Sequence, residues 1–114
     1  MPRIDDLEFA KLVTNGAVYR APCIVYRNSV NGRWWRTDGA RFLPEDFTPV
    51  VEANPDVVVL GRGVMNMVQI PEDTVSYLES SGARVEVHDS KEAAERYNEL
   101  FASGENVVGA FHLM

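Results

Sequence analysis

The sequence holds a single cysteine, Cys23, and only two histidines, His88 and His112. One thiol excludes an internal disulfide. With the two histidines far from it and from each other, no zinc-ligand spacing exists, and neither a metal nor a cofactor is expected. A lone cysteine fits a reducing compartment and, with no base beside it, reads as a small buried hydrophobe rather than a nucleophile. Lysine is nearly absent too: Lys11 and Lys91 are the only two among 11 basic residues. No apolar run approaches the roughly 20 residues of a membrane span. No repeat, low-complexity tract or linker interrupts the chain. Its first residues, Met1 to Asp6, carry acids where a signal or transit peptide avoids them, so a cytoplasmic location is the default expectation. A net charge of -6 disfavours broad contact with phosphate backbones or anionic membranes, so nucleic acid and membrane are not the expected partners.

What is present is one ordinary domain of 114 residues, with 46% hydrophobic and 25% charged positions. A chain of this size buries roughly two-thirds of its unfolded surface and needs no covalent staple. Its first third reads as strands. Phe9 to Val13 is an extended run closed by the turn signal Asn15-Gly16. Val18 to Tyr26 follows, with Pro22 marking an edge or bulge. Asn31-Gly32 is a second hairpin signal, after which Trp34 and Trp35 fall on opposite faces of an extended piece.

The rest of the chain alternates. Thr48 as N-cap with Pro49 at the first helical position opens a short helix to about Ala53. Val57 to Leu60 is a continuous apolar run, the mark of a strand buried on both faces, and Gly61-Arg62-Gly63 ends it. Pro71 starts a helix with Glu72 and Asp73 in its first turn, and Gly82 stops it. Arg84 to His88 is the next strand. Asp89 or Ser90 caps the longest helix, whose core stripe is Ala93, Tyr97, Leu100 and Phe101. Val107 to Leu113 closes the domain. This alternation predicts a three-layer α/β single domain with an N-terminal β-hairpin region and about three helices.

An ordered series of short motifs carries a resemblance over about residues 19–112. Its parts are Val59-Leu-Gly-Arg-Gly63; Pro71, Thr74-Val75, Tyr77-Leu78 and Gly82; Glu92-Ala-Ala-Glu-Arg-Tyr-Asn98; and Val108-Gly-Ala-Phe-His112. Trp35-Arg36 and Gly39 extend it upstream. Together they resemble the adipogenesis-associated domain-containing protein family, related to the mitochondrial complex I assembly factor 3. The resemblance implies a mixed central sheet whose last strand runs antiparallel to its neighbours. It also implies a non-enzymatic interaction or assembly role. The family pattern ends His-x-Thr-Cys where this chain reads His112-Leu113-Met114, and Pro22 departs from it as well.

Two groups of residues are the candidate sites. Gly61, Arg62 and Gly63 end a buried strand where backbone N–H groups and a guanidinium can face a small anion. Asn66 and His88 would join them if the neighbouring strand runs parallel. The third glycine of a dinucleotide fingerprint is missing at Asn66, and glycines also serve simply to permit a tight turn. Asp89 and Ser90 read as helix caps rather than members of a triad. His112 would lie at the opposite edge if the last strand is antiparallel. The second group is Arg33, Trp34, Trp35 and Arg36, a basic aromatic segment of the composition found at protein-contact anchors. The alternatives for it are single-strand nucleic-acid stacking, which the acidic chain disfavours, and a tryptophan packed on the core with solvated arginines outside. The expected function is thus a protein-interaction or assembly module without catalytic residues. The alternative is a small-ligand or anion-binding domain, or an enzyme, built on the glycine turn.

Overall fold

The run Val57–Leu60 offers no polar face to solvent, so a strand made from it must be covered on both sides. The computed structural model describes residues 3–114 and covers it in that way. Met1 and Pro2, where the leader argument begins, lie outside the described residues.

The chain opens with β1 (Ile4–Glu8), β2 (Lys11–Thr14) and β3 (Ala17–Tyr19), an antiparallel meander. The expected run from Phe9 is broken by Ala10, which sits at φ 58° and turns the chain between β1 and β2. Asn15 and Gly16, at φ 50° and 77°, make the tight hairpin turn that their types favour. Pro22 does more than bulge a strand. It separates β3 from β4 (Cys23–Val25), and the two fall in different sheets. β4 pairs with β5 (Val30–Asn31). The turn joining them lies at Arg27–Ser29, where the Tyr26 N–H donates to the Ser29 carbonyl, and not at Asn31-Gly32.

A 3-10 turn (Pro44–Phe47) runs directly into α1 (Thr48–Glu52). Then come β6 (Val57–Arg62), α2 (Glu72–Ser80), β7 (Arg84–His88), α3 (Ser90–Ala102) and β8 (Val107–His112). Asp89 is the N-cap of α3, its carboxylate accepting the Glu92 N–H at 3.0 Å.

The main sheet has the order β5-β4-β8-β6-β7. Its period-2 alternation sorts the core. Val57, Val59, Val107 and Phe111 face α3 with Ala93, Tyr97 and Leu100. Val58, Leu60, Val108 and Ala110 face the other way, onto Phe42, Phe47, Val50 and Leu78. Three layers result, as the alternation predicts.

Contrary to what the resemblance implies, the last strand does not run antiparallel to both of its neighbours. The last strand is antiparallel to β4 but parallel to β6, with Arg62 opposite His112 in register. α3 carries the chain back along the sheet, so β8 enters beside β6 in the same direction, as a helical crossover requires. His112 therefore ends at the same edge as Arg62, not the opposite one.

Candidate functional site

Three parallel strands, β7, β6 and β8, deliver their carboxyl ends to one edge of the sheet. Register places Gly61 opposite His88 and Arg62 opposite His112. The loop after β6, the start of α3 and the segment 112–114 meet there.

The glycine turn is shaped by the approach of α3. A Cβ on Gly61 would stand 2.7 Å from Ser90 Oγ and 3.1 Å from Ser90 Cα. Ser90 is fully buried and ties the edge together. Its hydroxyl accepts the Gly63 N–H at 2.7 Å and donates to the His112 carbonyl at 2.5 Å, while its own N–H donates to the Gly63 carbonyl at 3.0 Å. Gly63 takes φ 106°, and the Asn66 N–H, at φ 57°, donates to the Gly63 carbonyl. The Gly63 N–H thus serves the fold.

Strand alternation divides the predicted anion set. Arg62 shares the α2 face with Val85 and Val87, and its Nε donates to the Val68 carbonyl at 2.7 Å. The guanidinium borders a recess of about 330 Å3 lined also by Gln69, Ile70, Val75 and Val87. His88 lies on the α3 face. Its Nε2 stands 3.2 Å from Glu86 Oε1, an oxygen that also accepts from Arg96 Nε at 2.7 Å. The Arg96 hydrogen bond, with a smaller contribution from His88, holds the Glu86 carboxyl below its ordinary range. Arg62 and His88 reach one edge but not one site, and Asn66 sits exposed in the loop between.

His112 has the partner that sequence spacing could not reveal. Its Nδ1 lies 2.9 Å from Arg36 Nη2, across 76 residues of sequence. As acceptor from a guanidinium, Nδ1 is unprotonated and the ring proton sits on Nε2. Burial, and then the nearby Arg36 charge, lower the His112 pKa below its usual 6.5. The Arg36 guanidinium is 5.4 Å from the Trp34 ring centroid and 5.1 Å from that of Phe42. Burial lowers its pKa, opposed by the charges of Asp46 and Asp38. Among the described residues, Arg36 Nη1 is the buried side-chain polar atom without a hydrogen-bond partner. Those aromatic faces give it an electrostatic substitute.

The predicted contact segment is thereby fixed from both sides. Trp34 is 5% exposed, tilted against Phe42 and edge-on to Phe47 with ring centroids at 4.9 and 5.2 Å, and its Nε1 donates to the Asp46 carbonyl. Trp35, the next residue, is 79% exposed. The opposite-face expectation for the pair holds, although no strand carries them. Arg33 is exposed beside it. Exposed methionines at 65, 67 and 114 crown the same edge, where the Met65 N–H donates to the Met114 carbonyl at 2.8 Å. Phe9, also exposed, precedes Ala10, whose N–H donates to the Leu113 carbonyl. Sequence reading missed this apolar rim. The spacing Met65-x-Met67 after a buried strand was its one local signal.

Cys23 is fully buried and its thiol is pushed up to about 12 by burial, which makes it inert as a nucleophile. Among the described residues no three His, Cys, Asp or Glu side chains converge as a metal set. No helix of the described residues is long and apolar enough to cross a membrane.

Comparison with solved proteins places the fold. PH1505 from Pyrococcus horikoshii OT3 superposes with a TM-score of 0.86 at 17% identity, over 98% of each chain. MT938 gives 0.84 at 20% identity, over 100% of this chain and 99% of its own. A Bordetella pertussis protein, described as a Mth938-like domain, gives 0.65 at 18% identity, over 98% of this chain and 85% of its own. The sequence itself matches one family model over residues 4–112, nearly the whole described domain, and the chain belongs to that family, the proteins of unknown function DUF498/DUF598.

Proposed function

We propose that this chain is a non-enzymatic protein-interaction module, of the assembly kind implied by the resemblance in its sequence, and that Trp35 is its anchor. The observation carrying this reading is the contrast within one dipeptide. Trp34 is locked into the core while Trp35 stands 79% exposed on the backbone that Trp34 fixes. An indole held out on a rigid segment loses little freedom on binding, which is how interface anchors are built. Methionines 65, 67 and 114 supply adaptable apolar surface on the same edge, and Arg33 supplies charge. The partner is a protein with an apolar recess for the indole and carboxylates opposite Arg33.

The test is the dissociation constant of the purified partner, identified by cross-linking through position 35, for wild type and Trp35→Ala. Loss of a central indole costs about 2 kcal/mol or more, roughly 30-fold in affinity. Unchanged affinity would remove Trp35 as the anchor.

A second reading rests on Arg62. Its guanidinium, held by the Val68 carbonyl beside an apolar recess at the carboxyl edge of parallel strands, suits a small carboxylate or phosphate. With Gly63 committed to Ser90 and His88 on the other face, this reading narrows from the glycine turn to Arg62 and Gln69. A ligand at 100 times its dissociation constant stabilises by about 2.7 kcal/mol, roughly 10 °C of midpoint for a domain this size. A thermal-shift panel of carboxylates and phosphates should show that rise in wild type and not in Arg62→Ala; a flat panel in wild type removes the reading.

A further inference from the structure

The two sheets of the described residues have four edge strands, and they are not equally protected. β1 borders α3, where Asn98 accepts the Ile4 N–H at 2.9 Å and donates to the Ile4 carbonyl at 2.7 Å. A side-chain amide has taken the place of a pairing strand. β7 carries Arg84, Glu86 and His88, and the bonds from Arg96 and His88 to Glu86 lay charge along it, a device that discourages edge pairing.

β3 and β5 have neither protection. Among the described residues, β3 pairs only with β2, and β5 only with β4. The chain between them kinks at Pro22, so the two edges do not zip together. They border instead an open groove of about 790 Å3, lined on one side by Val18, Tyr19 and Arg20 and on the other by Val30, Asn31 and Arg33. The Tyr19 ring lies against Gly32, where a Cβ would stand 2.3 Å from it. Val18 is 52% exposed at this edge. Among the described residues no acidic one lines the groove, although the chain carries a net charge of -6.

We propose that this groove takes an extended acidic segment of a partner protein, added as a strand to the β3 or β5 edge. Unpaired backbone groups supply the hydrogen bonds, Tyr19 and Val30, both packed against the α3-side core, receive the apolar side chains of one face, and the Arg20 and Arg33 guanidiniums donate to the carboxylates. The exposed edge of β3 spans three residues, about 10 Å, so the added strand is short. The proposal rests on the interaction reading above but uses a surface distinct from Trp35; Arg33 borders both.

The experiment titrates the isotopically labelled full chain with a capped peptide of three Glu-Val repeats at up to millimolar concentration and follows its backbone amides. Shifts confined to 17–21 and 30–33 are expected. The matching Lys-Val peptide, and a Glu-Val peptide N-methylated at alternate amides, should each bind at least tenfold more weakly. Arg20→Ala with Arg33→Ala should weaken the acidic peptide at least tenfold while the remaining spectrum keeps its native dispersion. Trp35→Ala should bind the peptide as wild type does. No shifts, shifts elsewhere, or equal binding of the N-methylated peptide would overturn the proposal. So would a mass that doubles with concentration through these same amides, because the groove would then seat a second copy. If peptide binding fails while the partner still requires Trp35, the groove falls and the interaction reading stands. If the peptide binds while Trp35→Ala leaves the partner's affinity unchanged, the anchor falls and the groove stands.

Discussion

Replacing Ser90 by alanine tests how the carboxyl edge is held. The hydroxyl is fully buried and makes two bonds, from the Gly63 N–H at 2.7 Å and to the His112 carbonyl at 2.5 Å. A buried hydrogen bond contributes about 1 kcal/mol net, but a buried donor left without a partner costs about 1–3 kcal/mol. Alanine removes both bonds and strands the Gly63 N–H, so a loss of about 2–4 kcal/mol is expected. At roughly 2.1 cal/mol/K per residue, unfolding entropy for this chain is about 0.24 kcal/mol/K, and the loss lowers the midpoint by about 8–17 °C. Denaturant or thermal unfolding reads the total. Amide exchange reads the place: the Gly63 amide should exchange slowly in wild type and far faster in Ser90→Ala, with α2 amides following only the global change. Ser80→Ala is the control, since its hydroxyl is exposed and bonds only the Tyr77 carbonyl. A Ser90→Ala loss no larger than that of Ser80→Ala, with unchanged Gly63 exchange, would refute the argument and return the Gly63 N–H to the anion-site account.

Other predictions probe separate links. Trp34→Ala should cost about 3–5 kcal/mol as a buried aromatic truncation, whereas Trp35→Ala should stay within about 0.5 kcal/mol; equal effects in chemical denaturation would contradict the burial contrast. Asn98→Ala should cost about 1–3 kcal/mol by stranding the Ile4 backbone groups, with early loss of β1 protection in hydrogen exchange. His112 has a pKa lowered in the folded state, first by burial and then by Arg36, so the unfolded chain binds its proton more readily. Its contribution is present above the usual 6.5 and is lost as pH falls from there through the lower folded value. The unfolding midpoint should therefore drop on acidification across that window, and less so in His112→Gln; equal slopes would contradict the lowered His112 pKa.

Much of the local structure is written in short stretches of sequence. Val57 to Leu60 carries the mark of a strand covered on both faces, and the alternation of helices with such strands predicts the three layers. Asp89 as cap, Asn15-Gly16 as hairpin turn and Gly82 at φ 100° as helix stop each act within four residues. Their chemistry is local, so they were legible. Arg84 to His88 was placed to the residue for the same reason.

What tertiary structure decided is order, register and facing. Val18 to Tyr26 reads as one interrupted strand, but Pro22 hands its halves to two sheets, because the first half pairs back on β2 across the Asn15-Gly16 turn while the second pairs with β5 and the distant β8. β8 slots between β4 and β6 and is antiparallel to one and parallel to the other, a consequence of the α3 crossover rather than of its own residues. That insertion brings His112 beside Arg62 and under Arg36. Register then sets Arg62 and His88 on opposite faces, so residues that share an edge do not share a site. Local propensities acted within a few residues and could be read directly. The candidate sites were assembled by pairings such as Arg36 with His112, 76 residues apart, and only burial of both faces of the sheet selects those.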